Sequence, residues 1–155
     1  MPQSTGLVQI TNTWVESGGG PVQVVGGGLA LALCMSMTLD PSLLGNDYSF
    51  DINWQVVEVA TGHINNNWAG QIFNNGSSIN LDEWFFAGGG GDYTWVIENN
   101  ANAYAVRAGG ENYAETRGTG MYILRVYIFI DAGYNGPPPG TAQWAVSDDL
   151  YFWCD

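Results

Sequence analysis

The sequence predicts an all-β fold, a single antiparallel β-sandwich over residues 1–155. Three observations carry that prediction. No segment repeats its apolar residues at helical spacing, alternation with a period of two recurs along the chain, and glycine, proline and asparagine clusters punctuate it every ~8 to 15 residues. The clearest segment is Gly120–Asp131, GMYILRVYIFID, rich in β-branched and aromatic residues and free of proline. Its even positions, Tyr122, Leu124, Val126, Ile128 and Ile130, are apolar, while its odd positions mix Ile123, Arg125, Tyr127, Phe129 and Asp131. A period of two places the first set in a core and the second on a semi-exposed face. At ~3.3 Å per residue, Tyr122–Ile130 spans roughly 30 Å, enough to cross a whole sandwich.

The other elements follow in order. Leu7–Glu16 reads as a first strand, ended by Gly18-Gly19-Gly20-Pro21. Val22–Val25 precedes a second glycine triplet, Gly26–Gly28, and both triplets read as tight connections between strands. They are not phosphate cradles, because neither a helix nor a lysine follows them. In Leu29–Leu39 the odd positions are large (Leu, Met) and the even ones small (Ala30, Ala32, Cys34, Ser36, Thr38), which suits a strand with its large face in the core. Tyr48–Ala60 alternates cleanly, with Tyr48, Phe50, Ile52, Trp54 and Val56 inward, and the Val56-Val57 doublet signals a bulge. A Thr61-Gly62 turn, an Asn65–Asn67 loop, a short strand over Trp68–Phe73 and the Asn75-Gly76 hairpin signal come next. Strands are expected over Ile79–Phe86 and Tyr93–Glu98, with a weak strand over Tyr104–Arg107 inside the long connection Asn99–Thr119. After the Pro137–Pro139 spacer, a last strand runs from about Gln143 to Cys154, interrupted at Asp148-Asp149.

Two of these segments carry a family likeness. Gly120–Val126 resembles the strand, preceded by a turn, that immunoglobulin-like and fibronectin-type modules carry late in the chain, with Tyr122 in the tyrosine-corner position. Tyr48–Gly62, with Trp54 inside and a Thr-Gly turn after it, is similar to the tryptophan-bearing strand of such modules. The resemblance covers about a quarter of the chain and implies an immunoglobulin-like sandwich with Tyr122 and Trp54 as structural residues. A jelly roll is the alternative topology. The chain departs from immunoglobulin domains in its cysteines: Cys34 falls on the small-residue face, and no cysteine lies two residues after Tyr122. A Cys34–Cys154 bridge would close a loop of ~120 residues and contribute ~4–5 kcal/mol in the chain-entropy model. Met1–Gly6 has neither a basic nor an apolar leader region, so no secretory signal is expected and two free thiols are the favoured reading.

The charge excludes several functions. The net charge is −12 from only 15 acids, because the bases are nearly missing: Arg107, Arg117 and Arg125, with no lysine. Nucleic-acid binding by phosphate neutralisation and adhesion to anionic membranes are both disfavoured. No apolar run is long enough for a spanning helix. Catalytic constellations are missing from the pattern. His63 is the single histidine and reads as a turn residue, without partners for a triad or a zinc site. The neighbours in Asp82-Glu83 and in Asp148-Asp149 point to opposite faces of a strand, so neither pair makes a two-carboxylate site. Asp131–Gly136 fails as an EF-hand, having glycine at the third position and Ala142 at the twelfth. No cofactor is expected, although calcium held by loop carbonyls with Asp131, Asp148 or Asp149 stays open.

The aromatic surplus is the remaining signal. Seven Trp, eight Tyr and six Phe exceed what one small core needs, and Trp84, Phe86, Tyr127, Phe129, Tyr151 and Trp153 fall on outward phases. The expected function is a non-catalytic structural or interaction module, not an enzyme. Such a module would contact neighbouring protein subunits through that face, as a decoration of a virion, capsid or filament. A carbohydrate-binding or adhesion module at the cell surface is the alternative, and a hydrolase fragment a third. The opposing reading of the same aromatics is that they fill a large core.

Overall fold

In the computed structural model, which describes residues 2–27, 31–40, 47–75, 81–83, 93–100, 103–110, 118–132 and 143–155, thirteen strands and no helix occur among those residues. The first sheet centres on β11 (Gly120–Ala132). On one side lie β6 (Asp47–Glu58), β7 (Ile64–Asn75) and β8 (Leu81–Glu83). On the other, β12 (Gln143–Val146) and β13 (Leu150–Cys154) continue one another along the same edge of β11. Two-residue strands finish that side: β1 (Gln3–Ser4) antiparallel to β12, and β4 (Val24–Val25) parallel to β13. The second sheet runs β3 (Gly20–Val22), β2 (Val8–Ser17), β5 (Leu31–Leu39), β10 (Ala103–Gly110) and β9 (Tyr93–Asn100).

This is the strand order of a variable-type immunoglobulin sandwich. β2, β5, β10 and β9 stand as strands A, B, E and D, and β12/β13, β11, β6, β7 and β8 as G, F, C, C′ and C″. The jelly-roll alternative does not hold, since β6, β7 and β8 pair in succession on one sheet and β9 pairs β10 on the other.

Alternation decides which faces meet. Leu31, Leu33, Met35, Met37 and Leu39 of β5 are all buried, as are Ile52, Trp54 and Val56 of β6 and Tyr122, Leu124, Val126 and Ile128 of β11. Together with Val8, Val15, Val106, Phe152 and Cys154 they form one continuous core between the sheets. The first glycine triplet makes the β2–β3 hairpin. Ser17 pairs with Gly20 across Gly18 and Gly19, whose φ angles of 66° and 95° only glycine adopts readily, as a two-residue primed turn requires.

Three expectations need correction. The weak strand over Tyr104–Arg107 is a full interior strand, because β5 and β9 supply ladders on both its edges and Ala105, Ala108 and Gly109 let them approach. Asn65–Asn67 is not a loop: those residues continue β7, which pairs β6 from Asp47↔Asn75 to Val57↔Ile64. The register shift in β6 lies between Trp54 and Val56, one step before the valine doublet.

The cysteines do not meet. Cys154 lies in the core, while Cys34 faces away from it, between Trp14 of β2 and Arg107 of β10 in the ladder. Burial pushes the Cys34 thiol up to about 11, so it stays protonated beneath Arg107, which is ion-paired with Glu16. Both thiols are free and buried.

Tyr122 occupies the corner that the family resemblance implies. Its hydroxyl donates to the Gly118 carbonyl at 2.7 Å, while its ring is buried and stacks on Phe152 with centroids 5.8 Å apart. Trp54 is fully buried on the neighbouring strand of the same sheet, β6. Tyr122→Phe leaves the Gly118 carbonyl without its donor and keeps the ring. Urea denaturation is expected to show a loss of ~1–3 kcal/mol, and a change of only a few tenths would mean that the corner bond carries no stability.

Candidate interaction surface

The outward set of β11 is bordered by β13 and β12 on one edge and β6 on the other, so cross-strand register assembles the outer face in rows. In the first row, Met121 pairs Trp153, which pairs Val24, and on the other side the Val59 N–H donates to the Met121 carbonyl at 3.0 Å. In the second row, Tyr151 pairs Ile123, Ile123 pairs Val57, and Val57 pairs Ile64. Every residue in these rows is apolar or aromatic. Seven large apolar side chains stand exposed among the described residues, and six of them lie here, with Tyr151 at 59% and Trp153 at 38%. Trp153 is pinned, its indole N–H donating to Asp155 Oδ1 at 2.9 Å.

The third row is polar. Arg125 pairs Gln55 in the ladder and grips Asp149 with two bonds, Nε to Oδ1 at 2.7 Å and Nη2 to Oδ2 at 2.9 Å. The break in the last strand makes this geometry. At Ser147 the chain leaves the ladder, and the Ser147 hydroxyl accepts the Val126 N–H at 2.8 Å while its own N–H donates to the Val126 carbonyl at 2.9 Å. The extra residues that follow bring Asp149 over Arg125. The Arg125 bonds hold the Asp149 carboxyl below the usual carboxylate range, and the same pairing raises the arginine. Beyond this belt, the fourth row holds Val146, Tyr127 and Asn53, and the fifth Trp144, Phe129 and Asp51.

The six aromatics singled out from the sequence therefore separate. Tyr151 and Trp153 sit together in the apolar rows. Tyr127 and Phe129 stand on the far side of the Arg125–Asp149 belt, with Phe129 at 50% exposure and Tyr127 half-buried. Trp84 and Phe86 lie outside the described residues. Sequence reasoning missed the aliphatic half of the patch, Val24, Val57, Val59 and Ile64, together with Met121 and Ile123. Met121 and Ile123 were visible as the odd phase of the strongest strand, but Val24 reaches this face only through a parallel pairing with β13. Of the candidate calcium ligands, Asp149 is committed to Arg125, and Asp131 lies in β11 opposite Ser49. His63 is a turn residue, its N–H donating to Thr61 Oγ1 at 3.2 Å.

No family model matches this chain, and no curated protein does. Among solved structures, it is similar to the crystal structure of the C-terminal domain of wzt, with a TM-score of 0.50 and 10% identity over all of this chain and 77% of that one. At that identity the likeness is one of fold.

The Arg125–Asp149 pair sets a pH dependence. A depressed aspartate pKa stabilises the folded state above the unfolded value, and that contribution is lost as pH falls through the folded value. Both side chains are about a third exposed (32% and 36%), so the pair contributes no more than ~1 kcal/mol. Asp149→Asn is expected to lower stability by that amount near neutral pH. Its urea midpoint should converge on that of the original chain once the pH has fallen through the lowered aspartate value, and a gap that persists in strong acid would contradict the assignment.

Proposed function

We propose that this chain is a non-catalytic interaction module, a component of a larger assembly such as a virion or filament, and that it docks on a partner protein through the two apolar rows of its outer sheet face. The observation that carries this reading is the clustering into those rows of six of the seven large apolar side chains that stand exposed among the described residues. Burying the exposed half of one aromatic ring there is worth roughly 2–3 kcal/mol at ~25 cal/mol per Å². Scattered surface apolars need no explanation, whereas a contiguous patch bounded by a charged belt is the pattern of a contact surface.

The composition of the patch favours protein over sugar. Valine, isoleucine and methionine flank the rings and offer nothing to a hydroxyl, and Asp155 already occupies the Trp153 indole N–H. Charge disfavours a second copy. Asp155 borders the rows, and at a net charge of −12 two identical copies would repel. The complementary partner presents an apolar centre with a neutral or basic rim.

Met121→Asp and Tyr151→Ser test this. Each is expected to keep its melting temperature within a few degrees and to reduce co-sedimentation with the native assembly by at least about tenfold. Unchanged incorporation would show that the interface lies elsewhere, and loss of fold would show that these side chains belong to the core.

A further inference from the structure

We infer that a seam at the side of the sandwich takes an extended, basic segment of a partner protein as an added strand. The seam lies between the outer edge of the last strand, in one sheet, and the outer edge of β2, in the other. Two short pieces cover part of it. β1 covers β12, with Gln3 opposite Val146 and Ser4 opposite Ala145. β4 covers the end of β13, with Val24 opposite Trp153 and Val25 opposite Cys154. Between these pieces, residues 150–152 pair with β11 on one edge and with no described strand on the other. On the β2 side, β3 pairs only residues 15–17, so residues 12–14 have a ladder on the β5 edge alone among the described residues.

The uncovered stretch is hollow. A cleft of about 170 Å³ opens between residues 11–13 of β2 and residues 147–150, and Pro2, Ile10 and Leu150 line it. A second hollow of about 210 Å³, also lined by Pro2 and Ile10, lies between β1 and Gln9. β2 carries its bulge at this point, where its register on β5 shifts between Ile10 and Asn12, and a bulge bends its strand. An uncovered edge presents a row of backbone N–H and C=O groups, the template on which an extended segment adds by main-chain bonds. The lining sets the side chains of that segment. Ile10 is buried and Leu150 packs against the core, so the inward positions are apolar. Asp148 and Asp149 stand exposed on the rim of a chain whose net charge is −12, so the outward positions are basic. A second copy does not fit that description: it has no lysine, and no short segment of it holds two of its three arginines. Nothing in the seam requires the apolar rows to be an interface.

The test is titration of the isotope-labelled full chain with a peptide of about eight residues alternating valine and lysine, followed by amide NMR. Two controls accompany it: valine alternating with glutamate, which reverses the charge, and proline alternating with lysine, which keeps the charge but cannot donate to a ladder. The valine–lysine peptide alone is expected to shift residues 11–13 and 150–152 saturably and to slow amide exchange within residues 150–152. Asp148→Lys, at an exposed position, should leave the melting temperature within a few degrees and weaken that binding at least about tenfold. Ile64→Ser, on β7 at the opposite border of the apolar rows, should bind the peptide unchanged, which separates this seam from the docking face. The assignment is overturned if millimolar valine–lysine peptide leaves residues 150–152 unshifted, or shifts only the apolar rows. It is equally overturned if the proline–lysine peptide binds as tightly, or if Asp148→Lys binds as well as the unaltered chain.

Discussion

Every other element depends on the division of β11 into two faces. It pairs β6 from Tyr122↔Glu58 to Ala132↔Tyr48 and carries both halves of the last strand on its other edge. Both ladders are satisfied only in one register, and a slip by one residue would turn Leu124, Val126 and Ile128 to solvent. Two polar contacts hold that register. The Tyr122 hydroxyl ties the start of the strand to Gly118, and Ser147 bridges the point where β12 gives way to β13. The inner set then meets Trp54 and the large face of β5, and the core is complete without any outward residue of β11.

That completeness gives the outer face its freedom. Its side chains answer to no packing demand from the opposite sheet, yet they are grouped. Apolar residues collect over two rows, an ion pair crosses the third, and aromatic and amide side chains share the last two. The Arg125–Asp149 belt keeps the two chemistries apart. The scarcity of cations sharpens the pattern. With only three arginines in the chain, and two of those committed to Glu16 and Asp149, this surface attracts cations rather than anions.

Much of the fold was legible in the sequence because period-two alternation is a local signal. It read β11, β6 and β5 correctly, along with the interruption at Asp148-Asp149 and the turn made by the first glycine triplet. The tyrosine corner was legible from a short motif, since Tyr122 needs only a turn four residues before it. What escaped depends on neighbours. β10 has small, weakly patterned residues, and its strand character comes from the ladders on either side. β7 contains three asparagines that look like a loop until β6 pairs them. The composition of the candidate surface escaped for the same reason. Which outward side chains touch is decided by register between strands distant in sequence, so Tyr127 and Trp153 looked like neighbours and are not, while Val24 and Ile64 join a patch that no local pattern announces.

The most direct test compares the two faces of β11 at adjacent positions by urea denaturation of Leu124→Ala and Ile123→Ala. A fully buried leucine truncated in the core is expected to cost ~2–5 kcal/mol, while the outward isoleucine, whose neighbours are the exposed rows, should cost less than ~1 kcal/mol. Comparable losses at both positions would mean that the outer rows are part of the folding core and not a surface held free for a partner.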